Sequence, residues 1–179
     1  MQKKNGTQQN TDTESIVVPR THLKLIIGLG NPGSEYEHTY HNVGHFAVDY
    51  LLKKVESPVA IEKTNVFMNE SGRFVARALA RAHIRPEHLL ILHDESDLLL
   101  GSFKFSFGRG GAGHKGVASV IAALGTKNFW RFRIGIHPPS SLSKQRLQAG
   151  TFVLKKITPV AQKLIEEALK NALPKIAEI

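Results

Sequence analysis

The 179-residue chain contains no cysteine. That one absence excludes a disulfide framework, a thiolate zinc site, an iron–sulfur cluster and a cysteine nucleophile. Chemistry has to come from His, Asp, Asn, Ser or Lys. Long apolar runs are lacking as well. A membrane span needs about 18–20 consecutive apolar residues, whereas runs in the N-terminal half are as short as Leu25-Ile26-Ile27, so no membrane contact is expected. Residues 1–22 have no apolar stretch of the signal-peptide kind, and Asp12 and Glu14 beside a single arginine, Arg20, make a poor mitochondrial presequence. Rich in Gln, Asn, Thr and Lys, this segment reads as a disordered polar tail. Residues 23–179 read as one domain, and 41% hydrophobic residues suffice for a core without metal or disulfide staples.

Acidic residues are missing from one long stretch. Between Leu98 and Ile165 stand eleven Lys and Arg residues, among them Lys104, Arg109, Lys115, Arg131 and Arg133, and no Asp or Glu. With a formal charge of +9 over the whole chain, a one-sign run of this length is a candidate footprint for phosphate backbones.

Leu23–Leu29 fills with apolar residues and stops at Gly30-Asn31-Pro32-Gly33, a strand followed by turn chemistry. Val43, Phe46, Ala47, Tyr50 and Leu51 recur at helical spacing and predict a helix to about Lys54. Val75, Ala78, Leu79 and Ala82 predict a second, ended by Pro86 before the buried strand Leu89–Leu92. Phe103, Phe105 and Phe107 alternate with Lys104 and Ser106 as in a strand wet on one face. A glycine-rich loop over 108–116, a short helix over 117–124, a strand over 132–136 and a helix over 158–176 follow, the last with Thr158 as cap and Pro159 in its first turn. Pro138 to Ser143 reads as a polar linker. Strands alternating with helices predict an α/β domain with helices on both faces of one sheet, an α/β/α sandwich.

Gly28-x-Gly30-x-x-Gly33 after a strand imitates the dinucleotide-binding fingerprint, but Asn31-Pro32 occupies the place where the helix should begin, so nucleotide binding is not expected. His38, His41 and His45 have helical spacing but no accompanying Glu, which argues against zinc. Ser141 and Lys144 form a Ser-x-x-Lys match in a proline-serine loop without a nucleophile elbow. What remains is a set of polar residues at strand ends and loops: Asn31, His41, Asn69, Asp94 and His114. The carboxyl ends of strands in an α/β sheet form the usual ligand crevice. A His with an Asp partner and no good nucleophile suits water activation, with amides to bind the carbonyl under attack.

Six ordered segments, Gly28–Tyr36 (GLGNPGSEY), Thr39–Gly44 (TYHNVG), Phe67–Gly72 (FMNESG), His93–Leu98 (HDESDL), Gly110–Gly116 (GGAGHKG) and Phe132–Ile136 (FRIGI), resemble those of bacterial-type peptidyl-tRNA hydrolases. The resemblance spans about Leu23 to Ala177. It implies a monomeric, cofactor-free and metal-free intracellular esterase, cytoplasmic or mitochondrial, with a mixed twisted sheet between helices. Such an enzyme cuts the ester joining a peptide to the terminal ribose of tRNA. Carried over by position, His41 resembles the base that activates water and Asp94 its orienting carboxylate. Asn31 and Asn69 resemble amides that hold the peptide and the oxyanion. Tyr36, Met68, His114 and Lys115 belong to the implied substrate-binding set, and Lys104, Arg109, Arg131 and Arg133 to the set that grips tRNA phosphates. Three features depart from the pattern. Lys115 stands where Asn is usual, Tyr40 where Arg is usual, and the connection from Lys53 to Lys63 is markedly short, which predicts a smaller sheet with an exposed edge or a partner chain. The competing expectation is a tRNA-binding or RNA-binding protein of the same fold with impaired hydrolysis.

Overall fold

The computed structural model describes residues 23–54, 59–139 and 149–179. The polar tail, most of the linker and the Ser141/Lys144 match lie outside the described residues. Five strands form one sheet in the order β2-β1-β3-β5-β4: β1 (Leu25–Gly28), β2 (Ala60–Lys63), β3 (Leu89–Leu99), β4 (Phe103–Phe107) and β5 (Trp130–His137). Pairing is parallel except between β4 and β5. The sheet is therefore mixed, as the family resemblance implies.

Helices cover both faces. The face carrying Ile26, Leu90, Leu92, Phe132 and Ile134 packs against α1 (Val43–Lys54) and α5 (Pro159–Glu178). The other, with Leu25, Ile27, Leu89 and Ile91, packs against α2 (Ser71–Ala82) and α3 (Lys115–Leu124). Because β1 and β3 are buried on both faces, they read as continuous apolar runs without alternation. Thr158 caps α5 as expected, its hydroxyl accepting from Ala161 N–H at 3.2 Å. The central strand extends beyond its apolar run to Leu99, which carries Asp94 and Glu95 within it.

Two elements escape a reading of periodicity: the short helix α4 (Ala149–Phe152) and β2. β2 holds four residues, partly exposed, and pairs with β1 alone among the described residues. It lies at one edge of the sheet. What ties it to the site is Thr64. Its amide donates to Gly28 O at 3.0 Å, and its hydroxyl accepts from Gly30 N–H at 3.1 Å and from His45 Nε2 at 3.0 Å. The glycines that imitate a nucleotide fingerprint have packing duties. A Cβ at Gly28 would collide with the carbonyl of Gly44 on α1, so this glycine lets α1 lie directly on β1. Gly33 has φ of 107°, a turn conformation that suits glycine.

Candidate active site

The carboxyl ends of β1 and β3, two one-turn helices (Tyr40–Asn42 and Met68–Glu70) and the N-terminus of α3 meet around an open cleft of about 530 Å³. Asn31, Tyr36, His41, Met68, Asn69, Asp94, His114 and Lys115 all line it. The structure thus brings together, from five separate segments, every residue expected to touch the reacting ester or the peptide.

His41 is fixed at both ends. Its backbone N–H donates to Val153 O at 2.7 Å, and its Nδ1 lies 2.9 Å from Asp94 Oδ1. Burial alone would raise the Asp94 carboxyl, but the imidazoles of His114 and His41 bonded to it outweigh burial and hold the group well below the usual carboxylate range. An ionised carboxylate only accepts, so Nδ1 of His41 carries the proton. Nε2, which carries the lone pair of the neutral ring, belongs to a side chain 13% exposed at the cleft.

His114 reaches the same oxygen from the opposite side, Nε2 to Asp94 Oδ1 at 2.8 Å. Its Nδ1 accepts from Gly116 N–H at 3.1 Å and Val117 N–H at 3.2 Å, which makes His114 the cap of α3. That capping role removes the proton from Nδ1 and places it on Nε2. The ligand-type atoms of His41, Asp94 and His114 lie within 4.8 Å of one another. Yet a metal would need the Nε2 lone pair of His114, and the cap keeps that nitrogen protonated. The donor set fits a hydrogen-bonded relay.

Asn31 is oriented just as firmly. Its backbone N–H donates to Asn42 Oδ1 and its carbonyl accepts from Asn42 Nδ2, both at 2.9 Å, while its own Oδ1 accepts from Met68 N–H at 2.8 Å. With the oxygen committed, the NH2 of Asn31 is the half of the amide left for a substrate carbonyl. Asn69 is exposed, its carbonyl held by the Ser119 hydroxyl at 2.8 Å. Met68 is buried and lines the cleft from below. The apolar wall is Tyr36, edge-on to Phe67 at 6.2 Å, together with Leu154. Phe67 and Leu154 are 49% and 51% exposed. Lys115, the first residue of α3, is exposed at the cleft and has no ion-pair partner among the described residues.

The expected phosphate-binding residues divide. Register pairs Lys104 with Arg133 and Ser106 with Arg131 across β4 and β5, so all four share one sheet face. Lys104 and Arg109 are exposed. Arg133 is partly exposed, its Nε donating to Glu95 Oε2 at 2.8 Å. Arg131 departs from the expectation. It is 2% exposed, its guanidinium donates to Gly110 O at 2.7 Å, and burial, aided by Arg133, pulls it down to about 10. It supports the glycine loop from beneath.

Several residues of the site carry no sequence signal strong enough to single them out. Asn42 is legible only as the neighbour of His41. The Val153 carbonyl and Lys156, whose Nζ donates to the carbonyls of Glu35 at 2.8 Å and Glu37 at 2.6 Å, reach the site only because the segment before α5 folds back. Glu95, which lines the cleft and anchors Arg133, is hidden beside Asp94.

A histidine–carboxylate pair facing an open cleft, together with the oriented amide of Asn31, defines a hydrolase of the water-activating class. The sequence profile of the peptidyl-tRNA hydrolase family matches residues 25–179, and the chain belongs to that family. It is 43% identical to the peptidyl-tRNA hydrolase of Bordetella petrii over 155 aligned positions, covering 75% of this chain and 73% of that one. It is 34% identical to that of Aquifex aeolicus, covering 84% and 86%. The crystal structure of peptidyl-tRNA hydrolase from Acinetobacter baumannii superimposes with a TM-score of 0.74 at 34% identity, covering 87% of this chain and 89% of that one.

Proposed function

We propose that this chain hydrolyses the ester between a peptide, or an N-blocked amino acid, and the terminal ribose of tRNA. The observation that carries this reading is the His41–Asp94 pair, with its free imidazole nitrogen at a cleft opposite Asn31. Nε2 of His41 takes a proton from water as the water oxygen bonds to the ester carbonyl carbon. Asp94 stabilises the imidazolium so formed. The carbonyl oxygen gains negative charge and is held by the NH2 groups of Asn31 and Asn69. On collapse the bond to the ribose oxygen breaks, that oxygen takes the proton back from His41, and peptide acid and tRNA leave.

Lys104, Arg109 and Arg133 grip phosphates without reading bases, as an enzyme acting on many tRNAs requires. Tyr36, Met68, His114 and Lys115 shape the peptide side of the cleft. The site is complete within one chain, which supports a monomer. It uses proton-holding groups throughout, which supports catalysis without metal or cofactor. A tRNA substrate places the work inside the cell, in cytoplasm or organelle. Binding without hydrolysis is not favoured, since the catalytic pair is assembled despite the short connection.

Single-turnover hydrolysis of N-acetyl-aminoacyl-tRNA beside free aminoacyl-tRNA tests the reading. Release from the blocked substrate alone, lost in His41→Ala, is expected. Binding of tRNA with no ester cut by the wild type would overturn it.

A further inference from the structure

His93 sits directly behind the relay and has no part in the chemistry above. It is 1% exposed, and its Nδ1 lies 2.6 Å from the carbonyl oxygen of its neighbour Asp94, so Nδ1–H donates there. Its ring meets that of His114 edge to face, centroids 4.8 Å apart and planes at 74°. Nε2 is buried without a hydrogen-bond partner among the described residues. An unpaired buried nitrogen is costly, and a phenylalanine would fill the same space without that cost. The polar ring therefore has to be accounted for by what its other nitrogen and its edge accomplish. Both contacts act on the two groups that share one oxygen: the main chain of Asp94 and the imidazole of His114.

We propose that His93 is a positioning residue for the water-activating relay: its N–H fixes the Asp94 backbone and its ring seats His114, so that Asp94 Oδ1 faces both His114 and His41. This rests on the reading of His41 and Asp94 as the catalytic pair. The arrangement requires a neutral His93, with Nδ1 protonated and Nε2 bare. Its surroundings favour that form. Burial is the largest influence; His114 and Arg131 also oppose a positive charge on the ring, Asp94 favours one, and Arg133, across the β3–β5 register, is ion-paired with Glu95. Holding a general base by residues behind its partner is the same economy that orients metal ligands through their outer hydrogen bonds, where a lost contact typically costs about 10- to 100-fold in activity.

Two substitutions separate the two contacts. His93→Phe keeps a ring against His114 and removes the donor to Asp94, while His93→Asn keeps an N–H near the place of Nδ1 and removes the ring. For His93→Phe, kcat on N-acetyl-aminoacyl-tRNA should fall about 10- to 100-fold with KM and the thermal midpoint near wild type. His93→Asn should recover part of that loss. A merely structural residue would move stability and leave kcat alone, so wild-type kcat in folded His93→Phe overturns the proposal. Nitrogen-15 NMR of the wild-type protein gives a reading that needs neither variant to fold. Between pH 5 and 8 His93 should stay neutral with its proton on Nδ1, and neutral His114 should carry its proton on Nε2. A His93 that titrates in this range overturns the proposal too. An inert wild type whose His93 shows the expected form would strike at the hydrolysis reading and not at this assignment of the ring.

Discussion

Asp94 and His114 are joined by a 2.8 Å hydrogen bond whose direction is set at the far side of the imidazole, where two backbone amides of α3 occupy Nδ1. A helix cap thus decides which nitrogen faces the carboxylate. The same carboxylate oxygen also accepts from His41, so the basicity of His41 and the order of the α3 terminus are tied to a single atom.

His41→Ala removes the base and little else, since the side chain lies at the cleft wall. The expected loss in kcat is about 10²- to 10⁴-fold with the thermal midpoint near that of the wild type. Wild-type turnover by this variant, measured in a single-turnover assay, would show that another group activates water.

Asn31→Asp keeps an oxygen for the Met68 amide but replaces the NH2 that faces the substrate by a second acceptor. The fold should persist while kcat falls by about 10²- to 10³-fold, the effect of losing one oxyanion donor. Equal losses at saturating and limiting substrate would identify a contact made only in the transition state. A change in KM alone would place Asn31 in ground-state binding.

Arg133 and Arg131 should answer differently to the same truncation. Arg133→Ala is expected to weaken tRNA binding and flatten its salt dependence by about one phosphate contact. Arg131→Ala, which strips support from Gly110, should lower the thermal midpoint first. A salt titration of tRNA binding together with thermal melts separates the two, and an unchanged salt slope in Arg133→Ala would remove it from the tRNA surface.

Burial, assisted by Lys63, lowers His45 to about 4. A histidine lowered on folding leaves the native state neutral while the unfolded chain takes up a proton. Its contribution to stability is therefore complete above about pH 6.5 and is lost as pH falls from there towards 4, at most about 3 kcal/mol. Buried His93 acts in the same direction, and Asp94, held low, withdraws its own contribution only once pH drops below the ordinary carboxylate range. Denaturant midpoints should fall between pH 7 and pH 5, and less steeply in His45→Gln. Equal slopes for the two proteins would show that His45 titrates normally.

Much of the fold is legible in the chain because the signals are local. The apolar runs of β1 and β3, the helical spacing of α1 and α2, and the Thr158-Pro159 start of α5 each express a rule that acts within a few residues. β2 is not legible. Ala60-Ile61-Glu62-Lys63 has neither length nor alternation, and it becomes a strand because β1 offers it a partner and Thr64 anchors its end to the Gly28–Gly30 turn. α4 is too short to show a period.

The candidate site shows the same division. Residue types and their order single out Asn31, His41, Asn69, Asp94 and His114, since chemistry limits which side chains can activate water and hold a carbonyl. That Lys104, Arg131 and Arg133 belong to one basic run is also written in the chain. Which of these cations remains at the surface is not, because strand register and a glycine loop buried Arg131 and left Lys104 exposed. Nor does order along the chain say which nitrogen of His114 bears a proton, that His93 lies behind it, or that Val153 holds the backbone of His41. Those relations join residues tens of positions apart. They exist only where the sheet, the α3 terminus and the segment before α5 close on one another, because hydrogen-bond direction and burial are properties of neighbours in space.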